Sequence, residues 1–313
     1  MIVIEGLTKR FGATVALDAM DLKVEPGRIV GLIGPNGAGK TTAMSVLATL
    51  LTPDAGSARV DGCDVLADPA RVKGMIGYMP DFFGVYDGLK AWEYLDFFAA
   101  AYYIPESRRT ALIKDLLELV NLGDKAETYV DLLSRGMKQR LALARCLVHD
   151  PAVLIMDEPA SGLDPRARAE LKEIIRHLRD MSKTVLISSH ILPELAEICD
   201  EVAIMEKGKV LVCGPVEEIT ATGRGLRVIS LRLAGTPDLS GLGDYLNKRH
   251  NISEVSKEES NLKFFFDGDD AAQAALLREL ADQGWPVAEF KEVRRNLEET
   301  FMAVTGEEDL HES

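Results

Sequence analysis

The segment Gly34-Pro35-Asn36-Gly37-Ala38-Gly39-Lys40-Thr41 decides the fold of this chain, because it fits the pattern GxxxxGK[ST] at every defined position. An apolar run at residues 28–33 precedes it, and a helical pattern at residues 43–51 follows it. A strand, this loop and a helix, in that order, make a phosphate-binding loop. Glycines let the backbone wrap a phosphate, and the amides at the helix start bind its oxygens.

This loop predicts a bound ATP with Mg²⁺. Lys40 would place a positive charge on the β- and γ-phosphates, and the Thr41 hydroxyl would ligate the metal. The candidate nucleotide-binding residues are Gly34, Pro35, Asn36, Gly37, Ala38, Gly39, Lys40, Thr41 and Thr42.

A second apolar run, Val153–Met156, ends in the two carboxylates Asp157 and Glu158. Ligands of open α/β sheets bind at the carboxyl ends of the strands, so this strand end is expected beside the phosphate-binding loop. Asp157 would then hold Mg²⁺ directly or through water. Glu158 would polarise the attacking water as a general base or position it.

Strand and helix patterns alternate up to about residue 209, which predicts an α/β domain with a largely parallel core sheet. We assign residues 1–220 to this domain, with a helical insertion at about 91–150. The order after residue 223 is β-α-β-β-α-β, the pattern of ferredoxin-like domains. We therefore predict a small α+β accessory domain at 223–305 and a disordered tail at 306–313.

The net charge and the distribution of apolar residues exclude some classes of function. The net charge of −14 argues against a protein that binds the phosphate backbone of nucleic acids, since such binding needs clustered Lys and Arg. Apolar runs fall short of the roughly 20 residues that span a bilayer, and the N-terminus lacks the pattern of a signal peptide. We expect a cytoplasmic protein whose membrane role, if any, comes through a partner.

Three further segments are informative because of their order along the chain. The first is Leu133-Ser134-Arg135-Gly136-Met137-Lys138-Gln139-Arg140. Ser161-Gly162-Leu163-Asp164 follows it, and then His190, which comes after a predicted strand at 184–188. Together with the loop and the carboxylate strand, they resemble the nucleotide-binding domain of ABC transporters. The resemblance covers about residues 1–220. It implies an ATPase that powers a membrane transporter whose permease is a separate subunit, which would hold this chain at the inner face of the membrane.

The resemblance also implies a homodimer, or a pair with a similar subunit, packed head to tail around ATP. Ser134 and Gly136 would contact the γ-phosphate held by the partner, and Asp164 would line the interface. His190 would contact the γ-phosphate and orient the water or Glu158. Phe11 matches the aromatic residue that stacks on adenine, although a buried core Phe is the alternative.

The chain departs from the family pattern at two places. The common signature is LSGGQ, and here Arg135 and Met137 replace its second Gly and its Gln. The family's Gln after the strand near Tyr78 is replaced by Asp81, which would hold the metal through a water. The signature variant and the C-terminal segment resemble the type-2 exporter subgroup, which implies export.

The permease is expected to dock on residues 81–94 and the insertion after them, where Phe82, Phe83, Val85, Tyr86 and Trp92 crowd a loop-like stretch. The alternative is that these side chains pack the core of the insertion.

Two other functions stay open. One is a soluble regulatory ATPase whose C-terminal domain senses a small molecule. The other is an ABC-type ATPase acting on nucleic acid or ribosomes, which the acidic charge disfavours.

Overall fold

The computed structural model describes residues 1–81, 84, 88–222, 227–235, 239–258, 261–293, 297, 300 and 301. The chain divides into two compact units, Met1–Val216 and Glu217–Ser313.

The first unit holds ten strands and most of the helices in the described part of the chain. The strands are β1 (Ile2–Phe11), β2 (Thr14–Val24), β3 (Ile29–Ile33), β4 (Ala55–Val60), β5 (Cys63–Asp64), β6 (Ile76–Met79), β7 (Val153–Met156), β8 (Thr184–Ser189), β9 (Glu201–Glu206) and β10 (Lys209–Pro215). The helices are α1 (Lys40–Leu47), α2 (Pro69–Met75), α3 (Ala91–Ala101), α4 (Glu106–Leu119), α5 (Arg135–Leu147), α6 (Pro165–Asp180) and α7 (Leu192–Ile198), with α8 (Val216–Thr222) beginning at its last residue. Short 3₁₀ turns lie at Gly123–Lys125 and Val130–Leu132.

The central sheet has six strands in the order β10-β9-β3-β8-β7-β6. All neighbouring pairs are parallel except β10 with β9, which form an antiparallel hairpin. Every residue of β3 and of β7 is buried, as expected for strands covered on both faces. The predicted parallel core is therefore present, and it aligns the carboxyl ends of β3, β7 and β8 along one edge.

A second, antiparallel sheet lies in the order β2-β1-β4-β5, and the sequence patterns did not predict it. The pairing of β1 with β2 is interrupted by register shifts, and Gly6 and Ala19 adopt positive φ angles of 57° and 48° within these strands. Such bulges break the alternation of apolar and polar residues by which a strand is recognised. One core joins this sheet to the central one, since Ile2 and Leu17 belong to the same buried cluster as Leu32 and Met44.

Three helices, α3, α4 and α5, lie in the stretch at about 91–150 that the sequence analysis assigns to a helical insertion. A buried arginine, Arg140 on α5, donates to the carbonyl oxygens of Val120 and Asn121 at 2.9 Å each and pairs with Glu170 of α6 at 3.2 Å. A buried guanidinium needs such partners to offset the loss of water. These bonds hold α5 against both the end of α4 and the side of α6.

The second unit contains β11 (Arg227–Leu233), α9 (Leu239–Asn247), β12 (Ile252–Glu258), β13 (Asn261–Phe266), α10 (Asp270–Asp282) and β14 (Val287–Val293). Its antiparallel sheet runs in the order β12-β13-β11-β14, and a separate core forms around Ile229, Phe264 and Leu276. The assignment as ferredoxin-like stays a prediction. After β14, Leu297, Thr300 and Phe301 are helical and buried. The predicted tail at 306–313 lies outside the described residues.

Candidate functional site

The phosphate-binding loop leaves β3 and enters α1 at Lys40. Two of its glycines are fixed by close contacts: a Cβ at Gly34 would lie 2.3 Å from the carbonyl oxygen of Met205, and one at Gly39 would lie 2.4 Å from that of Ala16. Gly39 also has a φ of 105°, which side chains of L-residues rarely adopt. The loop is thus pressed against β9 and β2, and its curvature depends on residues without side chains.

Lys40 is buried at the start of α1 and folds back over the loop. Its ammonium donates to the carbonyl oxygens of Gly34 at 2.5 Å and Pro35 at 3.2 Å. Burial lowers the pKa of Lys40, and the nearby carboxylates of Glu158 and Asp157 oppose that shift. A cation at a helix start is suited to a polyanionic ligand, because the backbone amides and the helix dipole there also favour negative charge. Thr41 is exposed beside it and Thr42 is half-buried.

Asp157 lies directly after β7 and is almost fully buried. The hydroxyl of Ser188 donates to its Oδ1 at 2.6 Å, and its amide donates to the carbonyl of Met79 at 2.8 Å. Its Oδ2 has no hydrogen-bond partner within the described part of the chain. A buried carboxylate oxygen without a partner is costly, and it is the kind of oxygen that Mg²⁺ binds. The residues present therefore fit a magnesium ion.

Glu158, the next residue, turns away from the strand with a φ of +48°. Its amide donates to the Ser188 hydroxyl at 2.9 Å, so one serine holds both carboxylate residues. The Glu158 carboxylate accepts a hydrogen bond from Nδ1 of His190 at 2.7 Å and a longer one from the His190 amide at 3.4 Å. Glu158 is mostly buried and His190 is exposed, so the pair faces out from the strand ends.

The signature segment begins α5. Ser134 caps that helix, since its hydroxyl accepts from the amide of Met137 at 3.3 Å, and it remains exposed. Gly136 is buried against α6, where a Cβ would approach that of Ala167 to 2.7 Å. Asp164 is the N-cap of α6, as its sequence position predicts, and its Oδ1 accepts from the amides of Arg166 and Ala167.

Two further candidates have clear environments. Phe11 ends β1 with 52% of its surface exposed, and the ammonium of Lys9 lies 5.6 Å from its ring centroid. The alternative of a buried core phenylalanine is therefore wrong, and an exposed ring is free to stack on a base. Asp81 lies two residues after β6 and is exposed. Its role as a metal ligand stays a prediction.

Sequence reasoning missed Ser188, which connects the two carboxylates, and Ser161, whose amide donates to the carbonyl oxygen of Glu158 at 3.0 Å. Both are ordinary serines at the end of a strand or in a loop. Their partners are 31 and 3 residues away in the chain, and only the fold shows the longer contact.

Comparisons with known proteins identify the family of this chain. A family model described as ABC transporter matches residues 17–161. A daunorubicin resistance ATP-binding protein of Streptomyces coeruleorubidus is 34% identical, over 98% of this chain and 96% of its own length. A Nod factor export ATP-binding protein of Ralstonia nicotianae is 32% identical, over 97% of this chain and 94% of its own.

Solved structures show the same architecture. An ATP-binding subunit of an ABC transporter superposes with a TM-score of 0.64 at 28% identity, covering 70% of this chain and 91% of that one. A dimeric bacterial ABC transporter cassette gives a TM-score of 0.63 at 23% identity, covering 69% and 98%, which shows the fold alone.

The chain therefore belongs to the ABC transporter family, and within it to the ATP-binding subunits. It binds ATP and hydrolyses it. Cassettes of this kind work with membrane-spanning subunits, and no helix among the described residues of this chain has the length and apolar character to cross a bilayer itself.

Proposed function

We propose that this protein powers export through a separate membrane permease, and that two copies close head to tail around ATP and Mg²⁺ to do so. The observation that carries the proposal is the linked group of Asp157, Ser188, Glu158 and His190, held at the strand ends close to Lys40. Such an arrangement supports the roles of metal ligand and general base beside a phosphate-binding loop.

The roles of the individual residues follow from their surroundings. Mg²⁺ would neutralise charge on the phosphates while the terminal phosphoryl group passes from ADP to the attacking water. Thr41 and Asp157 would hold that ion, with Asp81 reaching it through water. Lys40 would exchange its bonds with the loop carbonyls for bonds with phosphate oxygens. Glu158 would accept the proton of the attacking water, while His190 keeps its carboxylate oriented.

The signature end supports the head-to-tail dimer. Ser134 and Arg135 are exposed at the start of α5, and a helix start binds anions through its backbone amides. Gly136 lets the start of α5 lie close against Ala167 in the first turn of α6, the helix that Asp164 caps. We infer that these residues meet the γ-phosphate and the surface of the partner copy, and that the exposed Phe11 stacks on adenine.

The relatives favour export over the two alternatives. The two described above are an antibiotic resistance protein and a Nod factor export protein, and both align over nearly the full chain. The second unit is therefore shared with ATP-binding proteins of exporters, which argues against a sensing role unique to this chain. Its strand order supports a ferredoxin-like fold. We infer separately that this domain acts in dimerisation or regulation.

A groove beside β6 is suited to the permease. It has a volume of about 260 Å³ and lies between α1, β6, α3 and α5. Its lining is rich in apolar and aromatic side chains, including Leu50, Tyr78, Phe98 and Tyr102, with Arg145 as a cation. Leu50 is 63% exposed, and apolar surface of this kind marks an interaction site. Trp92 is partly exposed on α3, whereas Phe82, Phe83, Val85 and Tyr86 lie outside the described residues.

Isolation of the tagged protein from membranes of its own cells tests the proposal. We expect a membrane protein with several spans to purify with it in constant ratio. Leu50→Glu or Tyr102→Glu should remove that protein while ATP hydrolysis by the purified subunit persists. Leu211→Glu is the matched control, because Leu211 is 42% exposed on β10, at the opposite edge of the sheet. Recovery of nucleic acid instead, or undiminished recovery of the membrane protein with both groove variants, would contradict the proposal.

A further inference from the structure

Arg135 occupies the place where the common signature carries glycine, and its guanidinium covers another glycine. An ideal Cβ at Gly162 would lie 2.4 Å from Cζ of Arg135 and 2.5 Å from Nη1. The guanidinium therefore lies directly on the backbone of residue 162, which has a φ of +65°. Arg135 carries a side chain where the common signature has none, and its contact with residue 162 requires glycine there.

Arg135 is also bonded to this loop. Its Nη2 donates to the carbonyl oxygen of Ser161 at 3.0 Å. The amide of the same residue, Ser161, donates to the carbonyl oxygen of Glu158 at 3.0 Å. Two successive hydrogen bonds thus connect the signature arginine to the backbone of the glutamate that faces His190.

The loop that receives these bonds needs external support. It joins Glu158, which has a left-handed backbone, to Asp164, which caps α6. Residues in such backbone regions persist only where their surroundings hold them. Gly136 fixes the start of α5 against Ala167 of α6, so Arg135 is presented to the loop from a firmly packed helix.

We propose that Arg135 is a positioning residue for hydrolysis: it holds the loop at 159–163 and thereby sets the direction of the Glu158 carboxylate in its own subunit. The inference rests on the proposed role of Glu158 as the base. It connects the end of the subunit that would contact the partner's nucleotide with the end that cleaves its own.

A different role for Arg135 makes different predictions. If its cation instead contacted the nucleotide of the partner copy, its loss would weaken ATP binding and dimer closure. Loss of a positioning residue lowers kcat and leaves both of these unchanged, because the phosphate-binding loop and Ser134 are untouched.

The experiment measures kcat and KM of the full-length protein with Arg135→Ala, and ATP-driven dimerisation of Arg135→Ala in a Glu158→Gln background. We expect kcat to fall by up to about 10²-fold, the size of effect that a small misplacement of a catalytic group produces. KM and the ATP concentration that drives dimerisation should not change. Arg135→Lys should recover part of the rate, since an ammonium can still donate to Ser161.

Two matched variants separate positioning from general damage. Arg176→Ala removes another arginine that donates to a backbone carbonyl, that of Glu197 at 3.3 Å on the side of α6, and should leave kcat unchanged. Gly162→Ala keeps Arg135 but pushes it away, so it should lower kcat, and adding Arg135→Ala to it should lower kcat no further.

An unchanged kcat in Arg135→Ala, measured beside a Glu158→Gln variant that has lost hydrolysis, would overturn this inference alone. Weaker dimerisation or a raised KM with an unchanged kcat would overturn it in favour of contact with the partner's nucleotide. Full hydrolysis by Glu158→Gln would overturn the role of Glu158, and the inference with it.

Discussion

The first unit has two candidate functional regions: the hydrolysis end, which carries Lys40 and Asp157, and the signature end, which carries Ser134 and Asp164. They differ in how far contacts within a single chain bury and hold their side chains. At the hydrolysis end, Lys40 and Asp157 are 6% and 1% exposed and are held by several partners. At the signature end, Ser134 and Asp164 are exposed, and their side chains cap the helices that they begin. The side chains of the first end are thus buried and held within one chain, whereas those of the second are exposed at two helix starts.

Removal of the Lys40 ammonium should have the largest effect on ATP hydrolysis. Lys40→Ala is expected to abolish ATP turnover, because it deletes the charge that faces the phosphates and leaves the curved loop in place. Turnover of the purified protein, measured by phosphate release, is the check. Lys23→Ala removes an exposed lysine paired with Glu25 and should hydrolyse at the normal rate. Hydrolysis by Lys40→Ala at that same rate would show that the loop is not the site.

The Glu158 carboxylate should matter more for the hydrolysis of ATP than for the binding of ATP. Glu158→Gln keeps the size of the side chain but cannot accept a proton, so hydrolysis should fall roughly 10²–10⁴-fold. Slow hydrolysis should let an ATP-bound dimer accumulate, visible by size-exclusion chromatography with ATP and Mg²⁺. Glu173→Gln makes the same change of charge at an exposed position of α6 and serves as the control. A Glu158→Gln protein that stays monomeric at saturating ATP would count against closure of the isolated subunit.

Substitution at the signature end should change how readily two chains dimerise with ATP. Ser134→Ala removes a helix cap, which costs about 0.5–2 kcal/mol of stability. In a Glu158→Gln background it should also raise the ATP concentration needed for dimerisation. Asp269→Ala removes the comparable cap of α10, whose side chain accepts from the Ala272 amide at 2.8 Å, and it should destabilise without changing dimerisation. Equal dimerisation of the two variants would mean that Ser134 is a cap and nothing more.

Local patterns predicted the parallel sheet well and the antiparallel sheet poorly. The predicted strand at Val153–Met156 matches β7, because it is a short apolar run that ends at two carboxylates. The helix α1 starts at Lys40, three residues before its predicted start at 43, since Lys40, Thr41 and Thr42 carry no apolar periodicity. The strands β1 and β2 escaped prediction because bulges interrupt them.

The candidate site divides in the same way. Two local motifs predicted these residues: the phosphate-binding loop gave Lys40, and the end of an apolar strand gave Asp157 and Glu158. The bond from Ser188 to Asp157 and the contact of Arg135 with Gly162 join residues 31 and 27 positions apart, and no local pattern reports them. The roles in metal binding, adenine stacking and dimer contact stay predictions.

The backbone of Glu158, at a φ of +48°, sets two properties of the enzyme against each other. A residue other than glycine in that region costs about 1–3 kcal/mol, out of a typical total of about 5–15 kcal/mol for a domain. A glycine would relieve the strain and remove the carboxylate in the same exchange. A library of variants selected for heat tolerance alone would therefore be enriched in glycine at position 158, in proteins that are more stable but no longer hydrolyse ATP. A screen for thermally stable variants needs to measure ATP turnover as well as folding.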